Sequence, residues 1–77
     1  MNRFIQDYFD AIETRLIASQ IVAAFDVIRR EVTHTDGKIR IRATLTDGGL
    51  LELFEYVMED QGQLNLQKYS VENMLLH

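Results

Sequence analysis

Cysteine, proline and tryptophan are all missing from the 77 residues. Without cysteine there is no disulfide staple, no thiolate nucleophile and no zinc–cysteine site. Without proline no backbone φ is locked in advance. No uncharged apolar run approaches the ~20 residues needed to cross a bilayer, and the N-terminus lacks a basic region followed by an apolar core. The expected compartment is therefore the cytoplasm, with no membrane partner. A cationic surplus is missing too. Eight Lys and Arg stand against twelve Asp and Glu, for a net charge of −4 and a pI near 4.9. A chain of that balance does not bind a polyanion by bulk charge, so DNA by itself is not an expected partner.

What is present is an ordinary globular mixture, 47% hydrophobic and 26% charged, of a length that fits one domain over 1–77. Its stability margin is thin. Size scaling gives roughly 13,000 Å² of surface unfolded and about 4,900 Å² folded. Burying the apolar share stabilises by about 120 kcal/mol at ~25 cal/mol per Å². Ordering the chain costs about 115 kcal/mol. The terms nearly cancel, so a homodimer or a dedicated protein partner is a physical expectation.

The pattern along the chain predicts an α+β fold. Over residues 3–18, Phe4, Ile5, Tyr8, Phe9, Ile12, Leu16 and Ile17 recur at three- and four-residue steps, the stripe of an amphipathic helix. Asn2 is its candidate N-cap. Ser19 is placed to cap a further short turn at Ile21–Ala23. From Ala24 the period changes to two. Strands are predicted over 24–32, 38–46, 50–59 and 63–70, separated by turn signals at Thr33–Gly37, Asp47–Gly49 and Asp60–Gly62. The tail Val71–His77 can continue the fourth strand or form a helical turn. Links this short forbid parallel returns, so the expected architecture is one N-terminal amphipathic helix packed on a four-stranded antiparallel meander sheet.

The register between the second and third strands stays open. A two-residue loop at Asp47-Gly48 opposes Arg40 to Glu55; a three-residue loop at Asp47–Gly49 opposes Ala43 to Leu53 and sends Glu55 to the apolar face. In both, the third strand is apolar on two sides, with Leu51, Leu53 and Val57 opposite Leu50, Phe54, Tyr56 and Met58. A single helix cannot cover both faces, which leaves the second for another subunit or partner.

Chemistry-bearing residues are few. Arg29, Arg30, Lys38, Arg40, Arg42 and Lys68 place six of the eight cations on the sheet. Lys38, Arg40 and Arg42 share one face by the two-residue period, a row able to hold phosphates through charge-assisted bonds or to pair with Glu31, Glu52 and Glu55. Glu31, Glu55 and His34 are the candidate acid–base groups, with Tyr56 and Tyr69 as candidate phenols. His34 sits in a turn, where an exposed structural role is the simpler reading. His34 and His77 do not make a metal-ligand spacing, and no HExxH, Gly-rich phosphate loop or GxSxG elbow occurs, so neither a metal nor a cofactor is expected.

The segments Tyr8-Phe9-Asp10-Ala11-Ile12-Glu13, Ile28-Arg29-Arg30-Glu31-Val32, Asp36-Gly37-Lys38-Ile39-Arg40-Ile41-Arg42-Ala43-Thr44-Leu45, Asp47-Gly48, Leu51-Glu52, Glu55-Tyr56-Val57 and Lys68-Tyr69-Ser70 occur in that order. Together they resemble the TumE-like family of small prokaryotic toxins over about residues 7–70. The resemblance implies a cytoplasmic toxin silenced by a cognate antitoxin, with RNA as the expected target. It implies a site among Arg29, Arg30, Glu31, Arg40, Arg42, Glu55, Tyr56, Lys68 and Tyr69. In that reading Arg40, Arg42 and Lys68 would hold the phosphate backbone, with Arg29, Arg30 and Tyr56 beside them as substrate-binding residues. Glu55 or Tyr69 would be the catalytic group assisting proton transfer at a ribose hydroxyl. Family members run on past Lys-Tyr-Ser into an aromatic- and histidine-containing segment, whereas here Val71–His77 follows. That departure supports the alternative expectation, a non-catalytic protein-interaction module that dimerises or binds a partner through its sheet.

Overall fold

The computed structural model describes residues 1–73. The chain is one helix, α1 (Arg3–Ala18), followed by four strands, β1 (Val22–Val32), β2 (Asp36–Leu45), β3 (Leu50–Asp60) and β4 (Gln63–Asn73). The strands form one open antiparallel sheet in the order β1-β2-β3-β4, so the α+β meander holds. Val71–Asn73 continue β4, and the rest of the tail lies outside the described residues. No helix among the described residues is long and apolar enough to cross a membrane.

The helix starts where its cap dictates. The Asn2 side chain accepts from the Ile5 N–H and donates through Nδ2 to the His34 carbonyl at 2.8 Å and to Glu59 Oε1 at 2.7 Å. One buried amide thus caps the helix and ties it to the β1–β2 turn and the end of β3. Ser19 does not begin a second helical turn. It closes α1 in extended backbone, with its N–H donating to the Leu16 carbonyl. The chain then enters β1 at Val22, held to the second hairpin by Thr46 N–H donating to the Ile21 carbonyl at 2.9 Å.

The helix lies on one face of the sheet. Ile5, Phe9 and Ile12 pack on Ile39, Ile41 and Val57, with Tyr8, Leu16, Phe25, Val32, Leu53 and Leu64 half-buried around them. Phe4 and Ile17, at the margins of the predicted stripe, remain 54% and 75% exposed. The buried seam is therefore narrower than the apolar stripe, and it follows β2 and β3.

Three turns set the phase of the sheet. The first turns at His34-Thr35, with Thr33 N–H donating to the Asp36 carbonyl at 2.8 Å. Asp36-Gly37 is therefore not the turn dipeptide that its sequence suggested; both residues belong to β2. The second is a three-residue loop, Thr46–Gly48. Leu45 accepts from Gly48 N–H and donates to the Gly49 carbonyl, and Gly48 takes the left-handed position at φ 89°. This differs from both expected loops by its starting residue. Ala43 opposes Leu51, Ile41 opposes Leu53 and Arg40 opposes Phe54. Glu55 lands opposite Ile39 on the helix-covered face. The third turn is the two-residue loop Gln61-Gly62 with φ 51° and 82°, the mirror-image geometry that suits hairpins.

Two bulges interrupt β1, where Ala23 and Ile28 are extra residues, and one interrupts β4 at Gln67. Each reverses the alternation of the residues beyond it.

Candidate functional site

The bulge at Ile28 decides which of the neighbouring arginines faces the helix. Arg30 opposes Ile39 on the helix side, while Arg29 opposes Arg40 on the open side. Arg30 reaches up to α1: Nη1 meets Glu13 Oε2 at 2.6 Å, and Nη2 meets Asp10 Oδ1 and Gln6 Oε1, each at 2.9 Å. Its guanidinium lies 5.7 Å from the Phe9 ring centre. Arg30 is fully engaged in holding the helix down and has no free fork for a phosphate.

The open face carries the cationic row. Lys38 Nζ sits 5.3 Å from the Tyr56 ring centre and the Arg40 guanidinium 4.8 Å from that of Phe54. Glu52 bridges Arg40 and Arg42, at 2.9 and 3.2 Å. The Arg42 hydrogen bond, followed by that of Arg40, holds the Glu52 carboxyl below its ordinary value. Arg29 pairs with Glu31 within its own strand at 2.8 Å, which lowers Glu31 likewise. Tyr56 Oη donates to Asp36 Oδ2 at 3.0 Å, and that bond raises the phenol's value. Lys68 opposes Tyr56 at the outer edge. By register, Arg29, Lys38, Arg40, Arg42 and Lys68 share this face with Asp26, Glu31, Asp36, Glu52, Asp60 and Glu72, so the cations are more than balanced by carboxylates.

Glu55 and Tyr69 oppose each other in β3 and β4, on the helix side of the sheet. Tyr69 is 61% exposed. Glu55 accepts from Tyr8 Oη at 2.5 Å. Beside it a shallow open groove runs between the end of α1 and β3, lined by Ile12, Arg15, Leu16, Ser19 and Leu53. The candidates thus fall into two sets on opposite sides of the sheet. Arg29, Arg40, Arg42, Tyr56 and Lys68 are brought together on one side, Glu55 and Tyr69 on the other, and Arg30 belongs to the helix. A phosphate held by Arg40 and Arg42 does not reach Glu55. Among the described residues no group of three or more His, Asp or Glu side chains is arranged to hold a metal ion.

Tyr8 is the residue that pattern reading missed. It was legible only as a member of the helix stripe, yet it is the hydroxyl in that stripe, and a carboxylate on an apolar face needs a donor from whatever covers it. Burial first, then the bond to Glu55, pushes the Tyr8 phenol up to about 12. The fold favours the neutral phenol, so this contribution to stability is complete below the ordinary value of 10.0 and is lost as pH rises from there to about 12. Ultraviolet titration should find one of the three tyrosines deprotonating last. Glu55→Gln should lower its value but leave it raised, because burial is the larger cause. An unchanged titration in Glu55→Gln would show that the bond does not form.

No protein-family model, curated protein or solved structure matches the chain.

Proposed function

We propose that this chain is a protein-interaction module that associates with a second copy of itself through its sheet, and that it is not itself a catalyst. The observation that carries this reading is the coverage of the sheet. The buried seam under the helix lies on Ile39, Ile41 and Val57 of β2 and β3, and the last strand is left with Leu66, Tyr69 and Val71 at 49%, 61% and 50% exposure. The thin stability margin of so short a chain points the same way. So does the separation of Glu55 and Tyr69 from Arg40, Arg42 and Lys68 by the thickness of the sheet. The absence of cysteine suits work in the cytoplasm. Light scattering over a dilution series tests the reading: the expected mass is twice the 9.0 kDa of one chain, falling on dilution. A mass that stays at one chain up to the solubility limit overturns it.

A second reading, an antitoxin-controlled toxin acting on RNA, draws on the TumE-like resemblance and on one geometric observation. Lys38 over Tyr56 and Arg40 over Phe54 interleave cations with rings, the residue types on which single-stranded bases stack. RNA cleavage by the purified chain, lost in Arg40→Ala and in Glu55→Gln, would favour it over the first.

A further inference from the structure

We infer that the second copy adds to the outer edge of β4, antiparallel and symmetric about Ser70, so that two sheets become one of eight strands. This rests on the self-association reading and specifies its surface.

The two edges of the sheet are not equivalent. β1 is interrupted by bulges at Ala23 and Ile28 and carries Asp26, Arg29, Arg30 and Glu31. Bulges and charges are the devices that keep an edge from being extended. β4 has one bulge, at Gln67, and beyond it a regular run, Lys68-Tyr69-Ser70-Val71-Glu72. That run is self-complementary. An antiparallel copy centred on Ser70 sets Lys68 opposite the second copy's Glu72, and Glu72 opposite its Lys68. On the other face it sets Tyr69 opposite Val71, and Val71 opposite Tyr69. Opposite charges and aromatic–β-branched neighbours are the favourable cross-strand combinations, and a two-fold axis makes each of them twice.

Within one chain these charges are poorly served. Glu72 lies opposite Glu52 in β3, a like-charge apposition that costs stability. Arg40 and Arg42 are both committed to Glu52. Lys68 lies opposite Tyr56 and makes no ion pair among the described residues. A second Lys68 arriving at Glu72 would supply the missing counter-charge. Pairing would also cover the exposed flanks of Tyr69 and Val71 and satisfy the outward amide and carbonyl groups of the run.

A charge swap tests this on the full chain. Lys68→Glu places like charges opposite each other twice and should weaken the dimer by roughly tenfold. Glu72→Lys should do the same, and the combined Lys68→Glu, Glu72→Lys chain should recover the wild-type dissociation constant. A second measurement does not depend on charge. Directly opposed residues in antiparallel strands have Cα atoms about 4.5–5.5 Å apart, inside the range a disulfide spans. The chain has no cysteine, so Ser70→Cys should form a covalent dimer under mild oxidation. Asn65→Cys, on the same strand and face but away from the axis, should not. A dimer that neither responds to the swap nor links through position 70 overturns the β4 assignment and leaves the self-association reading standing. A strict monomer overturns both.

Discussion

Gly37→Ala is expected to lower the midpoint of thermal unfolding by roughly 10–20 °C, a cost of about 2–3 kcal/mol. Gly37 is not needed for an unusual backbone angle, since its φ is not positive. It is needed for room. A Cβ at that position would lie 2.5 Å from Ile5 Cγ2 and 3.0 Å from Phe9 Cε2. Ile5 is β-branched and fully buried, so its methyl cannot swing aside. The helix must lift, and with it the seam over Ile39 and Val57. The small gain from a stiffer unfolded chain, about 0.4–1 kcal/mol, does not offset this. A thermodynamic cycle isolates the cause. Ile5→Ala alone should cost about 2–5 kcal/mol, while the Gly37→Ala, Ile5→Ala chain should cost less than the sum of the two by about 1–2 kcal/mol. Strict additivity would show that the clash is not what Gly37 avoids.

Phe9→Ala is expected to remove about 3–5 kcal/mol. A chain of this length has only about 4–12 kcal/mol in total, so most of the helix–sheet association should be lost. Phe9 is the largest of the fully buried side chains. It touches the other buried helix residues and lies under the Arg30 guanidinium. Phe4→Ala is the matching control. Phe4 is of the same type, on the same helix, and 54% exposed, so its removal should cost about 1 kcal/mol or less. Urea unfolding followed by circular dichroism reads both. Equal losses would mean that the helix is not anchored along the Ile5–Phe9–Ile12 seam.

Much of this architecture was legible in the order of residues. The helix occupies residues 3–18 because its apolar stripe runs unbroken from Phe4 to Ile17 and Asn2 stands ready as its cap. The alternation of β2 is regular, so Ile39, Ile41 and Ala43 go inward together. What resisted reading was phase. Plain alternation already parts Arg29 from Arg30, but a bulge adds one residue without a signature of its own, so nothing in Val27-Ile28-Arg29 announces that Arg30, and not Arg29, will share the helix side with Val27. The loop at Thr46–Gly48 differs by one position from an equally reasonable loop, and Asp36-Gly37 carries a turn signal that the helix overrode by needing a side chain removed. The candidate site inherits these uncertainties of phase. Its residue types were identifiable, and their separation into a charge-balanced row on the open face and a Tyr8–Glu55 pair under the helix was not.

The irregularity of β1 also bears on size. If two copies join along β4, both free margins of the resulting eight-stranded sheet belong to β1. Each is kinked at Ala23 and Ile28 and studded with ionic groups. Such margins offer no template for another strand. Assembly would then stop at two chains rather than run on into a fibre, and concentrated solutions should stay clear rather than gel.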